Sequence, residues 1–363
     1  MSFDTLKLNG STYSREELAL LVEGMLQLKK ISEYEKSFLQ FIKEWISPDK
    51  TIKVKTSGST GTPKVIEVQK KHMLESAKMT CNYFHITKRT NMLLCLSAEF
   101  IAGKMMLVRA FYSGANLITV KPDNNPLKEL KDKIDFAAMV PLQVENILAS
   151  PKTKKVFKNI DNVIIGGASV PEKLERKLSK CPNNVCSSFA MTETLSHFAL
   201  RRLSGKGKND FFEFLTGITI EKDKRDCMII KAPLLNDEPI VTNDIIEIID
   251  AKHFHWLGRY DNVINSGGVK VYPEELEKKV AGKIKQNRFF LASLPDKKLG
   301  EKVVIVIEGI SKRDVSKIKK DVEQVLGKYE KPREYFTSKK FEETPTGKVK
   351  RKETLKMLTV KAK

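Results

Sequence analysis

Nine consecutive residues, Thr56-Ser57-Gly58-Ser59-Thr60-Gly61-Thr62-Pro63-Lys64, gather five hydroxyls, two glycines and a lysine. Such a stretch is costly in a packed core, where each polar group needs a partner. It suits a loop around phosphate. Glycines let the backbone come close, hydroxyls and N–H groups donate to the oxygens, and the lysine adds charge. It is not a Walker A loop, because Pro63 stands where the second glycine would be. The plain alternative is a flexible Ser/Gly linker, and Pro63-Lys64 leading straight into a strand-like run argues against it.

Three further segments carry chemistry. Met191-Thr192-Glu193-Thr194 follows the strand-like VCSSFA. One carboxylate among hydroxyls can hold Mg²⁺ while substrate phosphates complete the shell, although the same pattern opens many helices. Residues 258–275, GRYDNVINSGGVKVYPEE, contain a turn-like Ser-Gly-Gly and then Pro273 with acids behind it, which predicts a helix start. Pro345-Thr346-Gly347-Lys348-Val349-Lys350-Arg351 sets a lysine on a glycine-containing turn, within a tail that holds several other lysines.

These loops need a frame to position them. Residues 15–46 carry apolar positions at three- and four-residue spacing without proline, which predicts one or two amphipathic helices. Strand patterns at 52–56, 65–69, 92–96, 116–120, 135–140 and 162–167 alternate with helical ones near 70–84, 102–112, 127–133, 141–149 and 171–180. Pro141 and Pro171 suit first helical turns. The alternation predicts a mostly parallel α/β core. Past about residue 210 closely spaced strands are expected at FFEFL, GITIE, CMIIKAP, PIVTN, DIIEIID and FHWLG, as in a small appended β-sheet or barrel. The last hundred residues read as a small α+β domain. The expected division is a large domain over 1–260 and a small, mobile one over 261–363.

Composition narrows the classes. At 363 residues and 41% hydrophobic the chain is globular and longer than one core usually serves. No apolar run reaches 18 residues, and MSFDTLKLNG has neither an apolar stretch nor a cleavage site. The expectation is a soluble cytoplasmic protein without membrane insertion. Five scattered cysteines, Cys81, Cys95, Cys181, Cys186 and Cys227, read as reduced, mostly buried thiols. The net charge of +20 favours polyanionic or phosphorylated partners. Its lysines are spread over helical surfaces, and no RNP, zinc-finger or basic-zipper pattern occurs, so nucleic acid is not the expected partner.

Together and in this order, the four motifs resemble those of the acyl-adenylating superfamily of acyl-CoA synthetases, luciferases and peptide-synthetase adenylation domains. The resemblance runs from about residue 51 to 352. Through GRYDNVINSGGVKVYPEELE and MTETLSHFALRRL it is similar to the menaquinone-pathway branch that joins o-succinylbenzoate to coenzyme A. It implies an AMP-forming acid–thiol ligase using ATP, Mg²⁺ and coenzyme A on a small carboxylate, with a homodimer among the partner expectations. By the same likeness Thr56, Ser57, Gly58, Ser59, Thr60, Gly61, Thr62 and Lys64 would cradle the ATP phosphates. Gly166, Gly167 and Ala168 would line the adenine pocket beside Phe189. Thr192 would touch the α-phosphate, Glu193 would hold Mg²⁺, and Asp244 with Arg259 would take the ribose hydroxyls. Asp261 would be a hinge, Gly267 and Gly268 would edge the coenzyme A channel, and Lys348 would be the adenylation lysine.

The chain also departs from the family pattern. Phe189-Ala190 stands for Tyr-Gly, Thr242-Asn243-Asp244 for Thr-Gly-Asp, and Glu99-Phe100-Ile101-Ala102-Gly103 lacks the usual histidine. The phosphate loop begins at residue 56, so much of the N-terminal subdomain is expected to be missing. The segment from Ser196-His197 to Arg201-Arg202 is a candidate for holding a second substrate carboxylate. Alternatives are another aromatic or aliphatic acid, or a carrier-protein thiol as acceptor. The rival class is a basic nucleic-acid-binding protein.

Overall fold

The computed structural model describes residues 5–55, 65–284, 287–343 and 349–360. They form two compact units, one of residues up to 219 with 230–240 and 250–253, the other of 220–229, 241–249 and 254 onward.

The first unit opens with a hairpin, β1 (Thr5–Leu8) and β2 (Ser11–Ser14), that no strand expectation covered. Then come α1 (Arg15–Leu26), α2 (Glu33–Ile46), β3 (Thr51–Lys55), β4 (Val65–Gln69) and α3 (Lys70–Phe84). Both first helices start at capping boxes, Ser14 with Glu17 and Ser32 with Glu35, which satisfy orphan N–H groups reciprocally. The α/β alternation continues through β5 (Asn91–Leu94), α4 (Ile101–Ser113), β6 (Asn116–Thr119), β7 (Phe136–Met139), α5 (Pro141–Ala149) and α6 (Pro151–Lys158). It ends with β8 (Asn162–Ile165), α7 (Glu172–Leu178), β9 (Asn184–Ala190), β10 (His197–Arg202) and β11 (Phe212–Phe214).

Strands β1, β6, β5, β7, β8 and β9 lie side by side and parallel. Beyond β9, β10 and β11 run antiparallel. Leu93, Ile118, Ala137, Val163 and Val185 meet on one face with residues of the covering helices, including Val144, Phe157 and Leu178. Strands covered on both faces read as continuous apolar runs, which is why MLL, FAAM and VII were legible as strands.

Three expectations need correction. Residues 127–133 form no helix, because seven residues with only Leu127 and Leu130 apolar cannot offset the cost of nucleation. Pro171 caps α7 in extended conformation rather than starting it. The separate strands expected around PIVTN and DIIEIID are one, β14 below.

The second unit holds most of β12 (Thr219–Lys222), β13 (Cys227–Lys231), β14 (Ile240–Ile248) and β15 (His253–Arg259), which neighbour one another in that order. It continues with β16 (Ile264–Ser266), β17 (Val269–Val271), α8 (Pro273–Val280), β18 (Phe289–Asp296), β19 (Gly300–Glu308), α9 (Lys312–Glu323), β20 (Glu334–Ser338) and α10 (Arg351–Val360). Strand β19 is buried on both faces. Val303, Ile305 and Ile307 pack toward Leu276 and Val322, and Val304 and Val306 toward Phe341 and Leu355 of the opposite cluster. Burial stabilises each such side chain by about 2 kcal/mol. The expected basic tail is thus partly a helix, α10, anchored by Leu355. Pro273 is the first residue of α8, with Glu274 and Glu275 in its first turn.

Candidate active site

Loops leaving β5, β7, β8 and β9 share the carboxyl edge of the parallel run, the edge where open α/β sheets hold ligands. Gly166, Gly167 and Ala168 follow β8 there, and Gly166 N–H donates to Met139 O at 3.0 Å. A Cβ on Gly166 would sit 2.5 Å from Ser188 Oγ, so a side chain there would have to displace that hydroxyl from its place between β8 and β9. Phe189, near the end of β9, meets Phe198 and Phe212 edge-on at centroid distances of 5.4 and 5.2 Å.

Met191 to Ser196 form a tight turn and not a helix start. Thr194, fully buried, takes the Met191 N–H at 3.3 Å and donates to Ser196 O at 2.8 Å. Leu195 is held at φ 64°, a left-handed conformation that breaks any helix. Thr192 and Glu193 are carried at the tip, and the exposed Glu193 carboxylate has no partner among the described residues. Gly166, Gly167, Ala168, Phe189, Thr192 and Glu193 are therefore brought to one sheet edge.

Behind this turn lies a group the sequence reading missed. Arg109 of α4 is 2% exposed and donates from Nη2 to Ser196 Oγ at 2.7 Å. Its Nη1 faces Met106 Sδ at 3.5 Å, its Nε has no partner, and no carboxylate lies within ion-pair distance among the described residues. Burial pushes it down to about 10, still a cation at neutral pH. His197 adjoins, with Nδ1 3.2 Å from Ser196 Oγ and Nε2 3.3 Å from Thr80 Oγ1. Burial, and then Arg109, hold His197 well below its ordinary value and so neutral. The other buried cation of α4, Lys104, has Glu44 at 3.8 Å and the Phe41 ring at 4.8 Å. The readable signal was a lone arginine inside an apolar helix pattern.

Arg201 and Arg202 are committed elsewhere, contrary to the expectation that they hold a substrate carboxylate. Arg201 grips Glu175 with two bonds of 2.9 and 2.8 Å, and Arg202 donates to Lys206 O at 2.9 Å.

In the second unit Asp244 and Arg259 are cross-strand partners on β14 and β15. Asp244, 6% exposed, accepts from Trp256 Nε1 at 2.9 Å and from Arg259 Nη1 at 3.1 Å. Asp261 lies exposed in a short 3₁₀ turn, Tyr260–Asn262. Gly267 and Gly268, at φ 60° and 81°, are the two central residues of the β16–β17 hairpin, a turn that demands positive φ at both. The phosphate-loop residues Thr56 to Lys64, and Lys348, lie outside the described residues. Among the described residues no cluster of three metal-ligating side chains occurs, and no helix is long and apolar enough to cross a membrane.

A doubly covered parallel sheet with its loops converging at one edge defines a nucleotide-binding α/β enzyme. The family model for AMP-binding enzymes matches residues 16–223, and the chain belongs to that family. The class it joins is that of AMP-forming acid–CoA ligases. A 2-succinylbenzoate–CoA ligase from Salmonella typhimurium is 26% identical over 338 residues, 88% of this chain and 72% of the relative. Against four bacterial 2-succinylbenzoate–CoA ligases matched by sequence, the chain spans between 57% and 72% of their length. An acyl-CoA synthetase (AMP-forming)/AMP-acid ligase II-like protein from Dyadobacter fermentans is 34% identical with TM-score 0.62, covering 93% of this chain and 98% of that one. An o-succinylbenzoate coenzyme A synthetase from Bacillus subtilis, in complex with ATP and magnesium, shares the fold at TM-score 0.72 and 16% identity, covering 98% and 97%.

Proposed function

We propose that the chain is an ATP-dependent carboxylate–CoA ligase working through an acyl-AMP, with an aromatic dicarboxylate of the o-succinylbenzoate type as substrate. Arg109 carries the substrate half of this reading. A buried cation without a counter-ion is costly, and a substrate's second carboxylate beside Ser196 would supply the missing charge. An acid with one carboxylate would leave the guanidinium unanswered.

The reaction is governed by charge. A carboxylate attacking a triphosphate meets like-charge repulsion, so the site must neutralise both partners in the transition state. Glu193, a single exposed carboxylate, is the donor type that holds Mg²⁺ when phosphate oxygens and water complete the shell. Bound there, the ion would offset charge on the departing pyrophosphate. By likeness to the family, the hydroxyls of Thr56 to Thr62 and Lys64 take the phosphates, and Lys348 bridges the attacking oxygen and the α-phosphate. Asp244 and Arg259 take the ribose, Gly166 to Ala168 the adenine, and Gly267 and Gly268 border the path of the thiol. Residues 261–363 act as the small domain, turning about Asp261 so that the coenzyme A thiol can attack the acyl-AMP and release AMP. Five buried, unpaired cysteines support a reducing, cytoplasmic setting.

Pyrophosphate release measured with a carboxylate panel, with and without coenzyme A, tests the reading. The expected result is a kcat/KM for o-succinylbenzoate far above those for acetate, benzoate and fatty acids; the reverse order defeats the substrate assignment. Lys348→Ala is expected to slow acyl-AMP formation about 10²–10³-fold and to spare thioester formation from isolated acyl-AMP. Lys350→Ala is the control for a merely basic tail.

A further inference from the structure

The side-chain bonds of the segment around Asp261 divide at one peptide bond. Arg259 Nη1 binds Asp244 at 3.1 Å, and Asp261 Oδ2 accepts from Asn243 Nδ2 at 3.3 Å. The Arg225 guanidinium lies 5.1 Å from the Tyr260 ring centroid. Through these contacts the chain up to Asp261 is fastened to β14 and to the turn before β13. Asn262 faces the other way, its Nδ2 donating to Glu274 Oε1 of α8 at 2.6 Å. A rotation about the Cα–C bond of Asp261 would leave both sets of side-chain bonds intact and would give up the Val263 N–H to Tyr260 O bond of 3.2 Å that closes the 3₁₀ turn.

The other torsion of Asp261 is not free, because turning about its N–Cα bond would carry the carboxylate away from the groups that hold it. Two groups hold it, Asn243 and, more loosely, Arg259 Nη2 at 3.9 Å. Asn243 is fixed in turn. Its Oδ1 accepts from Arg225 Nη1 at 3.0 Å, and Arg225 also grips Asp223 at 2.8 Å from Nε and Thr242 O at 3.2 Å from Nη2. The amide is thus oriented with its N–H toward Asp261. The family pattern's glycine at this position would offer Asp261 nothing. Among the described residues the pair of Lys270 with Asp226 at 3.9 Å also crosses the pivot, joining two partly exposed groups and counting for little, and the Lys278 ammonium lies 5.9 Å from the Trp256 ring centroid.

We infer that Asn243, oriented by Arg225, is a positioning residue that pins Asp261 and sets the balance between the two half-reactions. The inference rests on reading the chain as a two-step ligase with its pivot at Asp261. Releasing the pin depopulates the observed orientation, so the step run from it slows while the other gains.

The test compares wild type with Asn243→Ala and Asn243→Asp, the latter keeping the size but opposing the Asp261 charge. Asn243 is a half-buried polar side chain, so both variants are expected to fold. Acyl-AMP formation, thioester formation from isolated acyl-AMP, and tryptic cleavage after Arg259 are measured for each. A bond to a charged group shifts such an equilibrium about three- to tenfold. The expected result is that change in the ratio of the two steps, with cleavage accelerated by a similar factor and the KM for ATP unmoved. Proportional loss of both steps, or an unchanged cleavage rate, overturns the pin. A wild-type protein that performs neither step instead defeats the ligase reading, and the cleavage rate then judges the pin alone.

Discussion

Arg109 and Arg351 are both withdrawn from solvent, one behind the turn that carries Thr192 and Glu193, the other at the foot of α10. Arg351 meets Glu277 with two bonds of 2.7 and 2.8 Å, has Glu274 at 3.9 Å, and reaches Leu291 O at 3.3 Å. Arg109 has a hydroxyl, a thioether sulfur and an orphaned Nε. One arginine is a structural tie, with every charge answered inside the unit. The other is a charge that no carboxylate among the described residues answers, and the one the proposed substrate would meet. A buried cation whose counter-ion belongs to the protein stabilises the fold, and one whose counter-ion belongs to a ligand costs stability until the ligand binds.

The largest expected effect breaks the tie. Arg351→Met leaves Glu277 and Glu274 facing each other in a poorly solvated joint, and a loss of about 3 kcal/mol in unfolding free energy is expected from chemical denaturation. A loss below about 1 kcal/mol would show that water or Lys side chains reach the carboxylates.

A titration sharpens the same contrast. Burial raises Glu277 from 4.5 to about 7, with Glu274 adding to the rise while Arg351 and the Leu291 N–H oppose it. The folded state therefore holds this proton more tightly than the unfolded chain. Stability is fullest below about pH 4.5 and falls as pH climbs through 7, by at most about 3 kcal/mol. His197 works in the opposite sense. Held neutral by burial and Arg109, it costs stability as pH drops below 6.5, where the unfolded histidine takes a proton. Thermal melts from pH 4.5 to 8 should show Glu277→Gln flattening the alkaline-side decline and His197→Gln easing the acid-side loss. An identical pH profile for wild type and Glu277→Gln would refute the buried-carboxylate account.

What could be read from sequence follows this division between periodic and singular features. The apolar runs 92–96, 135–140 and 162–167 announced parallel strands because both faces are covered, and Pro273 with its acids announced α8. The turn at Thr194 was not legible, since its form depends on one buried hydroxyl and the left-handed Leu195. Asn243 was visible as a departure, but its partners Arg225 and Asp261 each lie 18 residues away, and only pairing of β13, β14 and β15 brings them together. Arg109 was hidden because one cation in a helix pattern normally faces solvent. Burial, not residue type, makes it a candidate.

Arg109→Met should separate stability from specificity. Removing an unanswered buried charge while keeping the volume is expected to raise unfolding free energy by about 1–2 kcal/mol, even with the Ser196 bond lost. In the same protein kcat/KM for o-succinylbenzoate should drop about 100-fold, and that for an aromatic acid with one carboxylate should change little. A destabilised variant, or equal losses on both acids, would mean that Arg109 is satisfied from within.

The smallest effect is expected at Arg201, and it decides between two arginines that the sequence could not rank. Arg201 and Glu175 form a two-bond pair at the edge of the first unit, with side chains 18% and 24% exposed. A pair of this kind contributes about 1 kcal/mol, because water still screens part of the attraction. Its guanidinium also lies 5.9 Å from the Phe212 ring, so its face and its donors are both occupied. Arg201→Ala should therefore lower stability by about 1 kcal/mol and leave the preference for a dicarboxylate over a monocarboxylate within twofold of wild type. Glu175→Ala supplies the complementary case. It frees Arg201 without removing it, so a true anion site there would gain affinity for the dicarboxylate. If Arg201→Ala erased the preference, or Glu175→Ala raised it, the second carboxylate would belong to Arg201, and the unanswered charge on Arg109 would need another explanation.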